Sequence, residues 1–379
     1  MPKYLKYLLI LALAVAVFAA ARHLDSSPRP YHGSEDIASP PSAATQPAAE
    51  ETAAVTVPQD TEPAQTEPAQ TEPAAAETEA AAEEERFLLT FGGDCILGSN
   101  CDQYSDSDGF IQTVGQDYSY PFRNISSYFS GDDLTLVNLE CVLGEYPFTR
   151  SNNDFLGASD YTRILTDSSV EAVSLANDHT GNFGDSAYAD MVQLLDGAGV
   201  ACLEQSRACI YTTRSGLNVG FFATMFYSVN IEDMKQEIQQ LRQQGAELVI
   251  VSVHWGTEDL RTPRGSQSGW AHAAIDAGAD IVFGHHPKFL QPVETYNGGL
   301  ICYSLGNLCS GVDLRHATFD SALLQQEVIR DPDGTVRLGQ LTAVPLSISS
   351  DGNSNNFQPT PYDPGSQEYQ RVMQALNLA

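Results

Sequence analysis

Basic residues are scarce in this chain: 19 Lys and Arg face 49 Asp and Glu, a formal charge of -30 over 379 residues. A phosphate backbone is held by Lys and Arg, so DNA and RNA are excluded as partners. Residues 87–379 alone carry 35 acidic and 14 basic side chains. Such a surface repels a polyanion unless metal ions sit in the cleft that binds it. Residues 22–86 lack large apolar side chains almost entirely, and hold 14 acidic residues and three Arg. That stretch cannot offset the entropy of ordering its backbone, and reads as an acidic, disordered linker. No Cys-x-x-Cys pair occurs among the seven cysteines. Cys202 with Cys209, and Cys302 with Cys309, are spaced to close short loops as disulfides. The alternative is that cysteines such as Cys95 and Cys302, on apolar runs, are buried small hydrophobes. An odd count leaves at least one thiol free or pairing between chains.

The apolar run at residues 7–21 is short for a membrane span, which wants about 20 residues. Tyr4 and Leu5, with Lys6 snorkelling, bring it close. Lys3 and Lys6 make residues 1–21 an export signal with two outcomes. One is a single anchor in the cell membrane with the rest of the chain outside. The other is a signal peptide cleaved at the small residues Ala19 and Ala21, leaving a secreted protein. Within the linker, TEPAQ, TEPAQ and TEPAA follow one another from Thr61 to Ala75. Proline every fifth residue blocks helix and sheet, and the glutamates repel and extend the chain. Residues 74–85 read as a frayed helix leading into the domain.

Residues 87–346 form one large domain, and 347–379 a polar tail with a short helix at 369–378. Apolar runs predict strands at 87–91, 134–139, 170–175, 217–222, 248–253, 280–283 and 299–304. Gly92, Gly93 and Asp94 read as the turn closing the first. Helical periodicity covers 186–198, 231–244 and 269–277, the first two stopped by Gly199 and Gly245. A hairpin joins 322–330 to 335–345 across Asp333 and Gly334. The middle is α/β and the end mostly β. A sheet on each side of the core, with helices outside, absorbs both patterns.

Polar residues fall in a telling place. Asp94, Glu140, the Asn177–Asp178–His179 cluster, His254 and the His285–His286 pair each follow an apolar run directly. Strands of open α/β sheets deliver active-site groups from their C-terminal ends onto one rim. Four of the eight histidines lie at such positions. Imidazole and carboxylate together suit zinc, iron or manganese. Two ions about 3.5–4 Å apart would clamp a phosphoryl group and activate water. Singly, each residue has a plain structural account: Asp94 as a turn or helix cap, Glu140 as a cap or an Arg partner, His179 or His254 as a satisfied histidine. Five such sites together make a functional cluster. Trp255 and Trp270 either wall the cleft or pack the core.

The segments GGDCILG (92–98), VNLECVLG (137–144), SLANDHTGNFG (174–184), SVHWGTE (252–258), GHHPKFLQPVE (284–294) and YSLGNL (303–308) carry a resemblance. In order and spacing they resemble the bacterial capsule-synthesis proteins of the CapA type, the poly-gamma-glutamate biosynthesis family, within the calcineurin-like metallophosphoesterase superfamily. The likeness covers roughly residues 87–310. It implies a four-layer α/β/β/α sandwich of metallophosphoesterase type, with the site at the sheet edges. It also implies a role in capsule or poly-gamma-glutamate synthesis, export or anchoring, as a metal-dependent hydrolase. The alternative is a non-catalytic polymer-binding or assembly factor. Partners are then an anionic surface polymer or phosphoester and membrane capsule-synthesis proteins.

By that resemblance Asp94, Glu140, Asn177, Asp178, His254, His285 and His286 are the metal-site positions, for one or two divalent ions. His179 stands where a general acid protonates the leaving oxygen, with Asp178 beside it. Asn307, in the turn at 304–307, belongs to the pocket floor. Ile96 replaces the histidine of the superfamily's Asp-x-His pair, and Asp178 replaces the middle Asn of Asn-Asn-His. Lys288 replaces the last His of GHHPH. A protonated lysine cannot ligate a metal, but it can grip an anion. Arg261 and Arg264, on the loop after His254, are candidates for the same task.

Overall fold

The computed structural model describes residues 83–312 and 318–379. The export segment at 1–21, most of the linker at 22–86 and all but the last residues of the helix read at 74–85 lie outside them. Among the described residues no helix is long and apolar enough to cross a membrane. The expected single N-terminal anchor, and attachment to a membrane through it, therefore gain no span from the described residues, and the run at 1–21 read as that anchor lies outside them.

The first strands are β1 (Glu85–Ile96), β2 (Leu134–Leu139), β3 (Val142–Leu143), β4 (Leu156–Gly157), β5 (Ala172–Ser174) and β6 (Ala201–Leu203). After them come β7 (Arg207–Thr212), β8 (Asn218–Met225), β9 (Leu248–His254), β10 (Ile281–His285) and β11 (Leu290–Tyr296). The last are β12 (Gly299–Leu305), β13 (Asn307–Ser310), β14 (Asp320–Arg330), β15 (Val336–Ser347) and β16 (Thr360–Pro361). One sheet runs β16-β15-β14-β1-β2-β5-β6, with β13 also on β1, and the other runs β11-β12-β10-β9-β8-β7. Both mix parallel and antiparallel pairs. Parallel strands lie covered on both faces and so read as continuous apolar runs, as β2 and β9 do, with every residue buried.

Alternation along those strands separates the layers. Phe87, Leu89 and Phe91 of β1 meet Val219, Phe221, Ile250 and Phe283 of the other sheet in one apolar cluster. The rings of Phe91 and Phe283 lie 5.1 Å apart between the sheets. On the outer face of the second sheet, Val249, Val251 and Val253 of β9 pack on helices α5 (Ile231–Gln243) and α6 (Gly265–Asp276). On the outer face of the first, Val137 and Leu139 pack on α1 (Phe110–Val114), α2 (Ser126–Phe129), α3 (Thr162–Thr166) and α4 (Asp185–Gly197). The result is a mixed α/β sandwich.

Helix α5 shows how local sequence sets these layers. Asn230 accepts a hydrogen bond from the backbone N–H of Asp233, 2.9 Å away, and caps the helix. Glu232 and Asp233 lie in its first turn and Arg242 in its last, as the helix dipole favours. Met234, Ile238 and Leu241 form the buried stripe, each worth about 1.5–3 kcal/mol on burial. Gly245, at φ 96°, stops it.

Two expectations change, and the role of the two tryptophans resolves to core packing. Gly92 and Gly93 do not close β1, which continues to Ile96. They are glycine because the chain passes close: a Cβ on Gly93 would lie 2.1 Å from the Gly306 carbonyl oxygen. All seven cysteines are free thiols, so neither short disulfide loop forms, and Cys95 and Cys302 are buried as apolar groups. Trp255 and Trp270 pack in the cluster under α5 and α6, with Trp255 Nε1 donating to the Tyr303 carbonyl at 2.9 Å.

The C-terminal helix α7 (Gln367–Ala375) closes one end of the space between the sheets. Val372 and Leu376 are fully buried there, and the Leu376 carbonyl accepts from Val293 N–H at 2.9 Å. Arg371 donates to both oxygens of Asp320. Leu376→Ala is expected to lower unfolding free energy by about 3 kcal/mol, as for other buried Leu→Ala changes, read by urea unfolding; a change under about 0.5 kcal/mol would mean the helix does not dock.

Asp132 offers a second measurement. Burial pushes its carboxyl up to about 7, and Thr135 donates to it at 2.8 Å. The folded state therefore binds this proton more tightly than the unfolded state does. Stability from this group is intact below the ordinary carboxylate range and is lost as pH rises toward 7. Asp132→Asn, which cannot ionise, is expected to melt a few degrees above wild type at pH 8 and level with it at pH 4. Equal melting at both pH values would refute the assignment.

Candidate metal centre

The site lies where strands of both sheets end together. In the first sheet Asp94 pairs in register with Asn138 on one side and Asn307 on the other, and Asn138 with Ser174. In the second, His254 and His285 are direct neighbours on β9 and β10. Ser252 Oγ donates to Ser174 Oγ at 2.9 Å and ties the sheets together beneath the rim. Glu140 follows β2 directly, and residues 177–179 follow β5.

Asp94 and Glu140 are 1% and 0% exposed. Asn138 Nδ2 donates to Asp94 at 2.8 Å, and His285 Nδ1 lies 3.3 Å from the same carboxylate. Backbone N–H of His286 donates to Asp94 at 3.2 Å. Lys288 Nζ donates to both oxygens of Glu140 and lies 3.5 Å from Asp94. Burial pushes the Asp94 carboxyl up, but Lys288 and His285 hold it well below the usual carboxylate range. Burial pushes the Glu140 carboxyl up, and the Lys288 ammonium on both its oxygens pulls it back down. Burial disfavours the Lys288 ammonium, yet Glu140 and Asp94 hold its pKa above the ordinary lysine value.

A second group of ligand atoms adjoins these. Among the described residues, single ligand atoms of Glu140, Asp178, His254 and His286 all lie within 4.8 Å of one another. His254 Nε2 is 2.9 Å from Asp178 Oδ1, but among the described residues neither ring nitrogen of His254 completes a hydrogen bond. Burial lowers the His254 pKa to about 4, so the ring is neutral and a lone pair is free to ligate. Both nitrogens of His285, Nδ1 of His286 and Oδ1 of Asn307 are also buried without a hydrogen-bond partner among the described residues. Each such group costs about 1–3 kcal/mol. Unpaired buried imidazoles beside carboxylates are the donor set of a divalent cation, and the residues fit one.

Asp178 and His286 of this group line a cleft of about 910 Å³. His179 forms part of its wall. Its ring stacks on Phe155 at 4.2 Å, and Nδ1 meets the Asn153 carbonyl at 3.0 Å and Asn182 Oδ1 at 3.1 Å. The carbonyl can only accept, so the proton sits on Nδ1 and Nε2 carries the lone pair. Nε2 lies 3.7 Å from Asp178 and 3.8 Å from Glu140. Burial lowers the His179 pKa, so the ring is neutral near pH 7.

Asp94, Glu140, Asp178, His179, His254, His285, His286 and Lys288 thus come together, and Asn307 and Ile96 line the cleft beside them. Asn177 is committed elsewhere: its Nδ2 donates to Asn138 and the Leu139 carbonyl, and its Oδ1 accepts from His179 and Thr180 N–H. Arg261 lies over the Phe289 ring at 4.2 Å, and Arg264 sits at the N-terminus of α6. Both are exposed, and neither is among the residues lining the cleft. Asn138, Asn153, Phe155 and Asn182, which orient Asp94 and His179, carried no signal in the sequence beyond the place of Asn138 in an otherwise apolar run.

The family model for the bacterial capsule synthesis protein PGA_cap matches residues 88–312. The chain belongs to that family. It is 30% identical over 295 residues to the capsule biosynthesis protein CapA of Bacillus anthracis, covering 70% of this chain and 68% of that one. It is 28% identical over 280 residues to the PGA biosynthesis protein CapA of Bacillus subtilis, covering 68% and 71%. A solved structure titled as a putative 5'-nucleotidase from Staphylococcus aureus aligns at TM-score 0.41 and 12% identity, over 77% of this chain and 58% of its own. That likeness is too distant to bear on chemistry. Family membership brings the capsule and poly-gamma-glutamate connection, and the residues above give it a candidate metal site.

Proposed function

We propose that this chain acts on capsule or poly-gamma-glutamate material as a metal-dependent hydrolase, on a sandwich of the four-layer metallophosphoesterase type. The observation that carries this reading is the set of buried, unpaired imidazole nitrogens facing carboxylates at an open cleft. Asp178, His254 and His286 would hold a divalent manganese, zinc or iron ion, with Glu140, Asp94 and His285 beside them. Such an ion supplies Lewis acidity toward a phosphoryl or carbonyl oxygen. His179 takes a proton at Nε2 from the attacking water and hands it to the leaving atom, an ester oxygen or an amide nitrogen, as the bond to that atom breaks. Asp178, 3.7 Å away, stabilises the imidazolium that forms between those steps. Asn177 fixes the turn that presents both. Asn307, with an unpaired oxygen on the cleft floor, orients the substrate.

A second reading is a polymer-binding or assembly factor without turnover. The relatives' names speak of biosynthesis and print no reaction. The cleft wall also bears Asp102, Glu258 and Asp259, which repel an anionic polymer that no cation bridges. Purified protein loaded with manganese, zinc or iron separates the two when offered a generic phosphodiester and poly-gamma-glutamate. Hydrolysis of either supports the first reading. Polymer retention with no turnover under any metal would remove it.

A further inference from the structure

Two carboxylates sit in the floor of the site, Asp94 and Glu140, almost wholly withdrawn from solvent. Charges so placed require cations against them. One cation is already present. The Lys288 side chain is 13% exposed, and its Nζ donates to both oxygens of Glu140 and lies 3.5 Å from Asp94 Oδ2. An ammonium has three N–H groups and no acceptor. Two are spent on Glu140, the third points toward Asp94, and none is left for a substrate.

The other half of the site differs. Among the described residues, Asp178, His254 and His286 have no protein cation against them, and buried ring nitrogens of His254 and His286 lack partners. The backbone enforces the division. His286 and Lys288 adopt φ 95° and 61° on either side of Pro287. These are uncommon values for residues with a side chain, and such conformations persist where the surroundings hold them. They send the His286 ring to one half and the Lys288 ammonium to the other.

We propose that Lys288 stands in for a second divalent ion, so that this chain binds one metal ion where a paired-ion site would bind two. The inference rests on the metal-binding reading above and adds its stoichiometry. A bridging pair of ions about 3.5–4 Å apart would need Glu140 and Asp94 free, and both are held by Lys288. Lys288→His would exchange the cation for a neutral ligand and reopen that half.

Full-length protein saturated with manganese and then desalted should carry one ion per chain by elemental analysis. The Lys288→His variant should carry two. Lys288→Met removes the cation without adding a ligand, and should melt lower than wild type in chelator and recover with manganese. Two ions on the wild type would overturn the inference while leaving the hydrolase reading standing. No ions on the wild type would remove both. One ion on a folded Lys288→His, or Lys288→Met melting unaffected by manganese, would also overturn it. If neither variant folds, the wild-type count decides alone.

Discussion

His254→Ala is expected to weaken divalent-metal binding by more than about 100-fold. Outer partners of metal ligands already cost about 10–100-fold when removed, so a ligand whose two nitrogens have no other use costs more. Turnover on a phosphodiester falls with it, by roughly 1,000-fold or beyond, because losing several kcal/mol of charge stabilisation costs a factor of ten per 1.36 kcal/mol. Calorimetric titration with manganese gives the first number and initial rates the second. His254 lies in a cluster with partners on β9 and β10, so the melting temperature in chelator must be shown to hold. An unchanged affinity in a folded variant would place the ion elsewhere and sink the site as drawn.

His179→Ala separates catalysis from binding. The ring is held by Phe155, Asn153 and Asn182, on the cleft side of the metal group. Its loss should lower kcat by about 100- to 10,000-fold, the usual worth of a positioned proton donor or acceptor. Metal content should stay at the wild-type value. A variant with normal turnover would exclude His179 from proton transfer, whereas one that also sheds its metal would make it a ligand. If the chain is an assembly factor, no rate exists to lose, and polymer retention should survive the change.

The legible part of this fold was the part built from uniform runs. β2 and β9, buried on both faces, announce themselves as LTLVNL and LVIVSVH. α5 was legible within a residue because its apolar stripe, cap and stop agree. β7 was not, since RACIYT is half exposed at a sheet edge and alternates weakly. β11 contains Gln291 and Pro292, and β13 is four residues long. At the site, polar residues after apolar runs pointed to Asp94, Glu140, His254 and His285 because parallel strands end on one rim. The destination of Lys288 was not readable. An anion-gripping role fits a lysine in a cleft, but two left-handed backbone positions turn its ammonium onto Glu140 instead. The place of Arg261 and Arg264 was unreadable for a similar reason: nearness in sequence to His254 says nothing about which way a loop faces.

β1 pairs antiparallel with β14 from Glu85 to Gly92 and parallel with β13 from Asp94 to Ile96. The strand that presents Asp94 thus depends on residues beyond 312, where the family match ends. A fragment trimmed to that match would strip β14 from β1 and bare a long apolar border with unsatisfied amides, a template for intermolecular pairing. Insolubility of such a piece would reflect a missing neighbour rather than poor chemistry. Any recombinant version intended for assay should run through to Ala379.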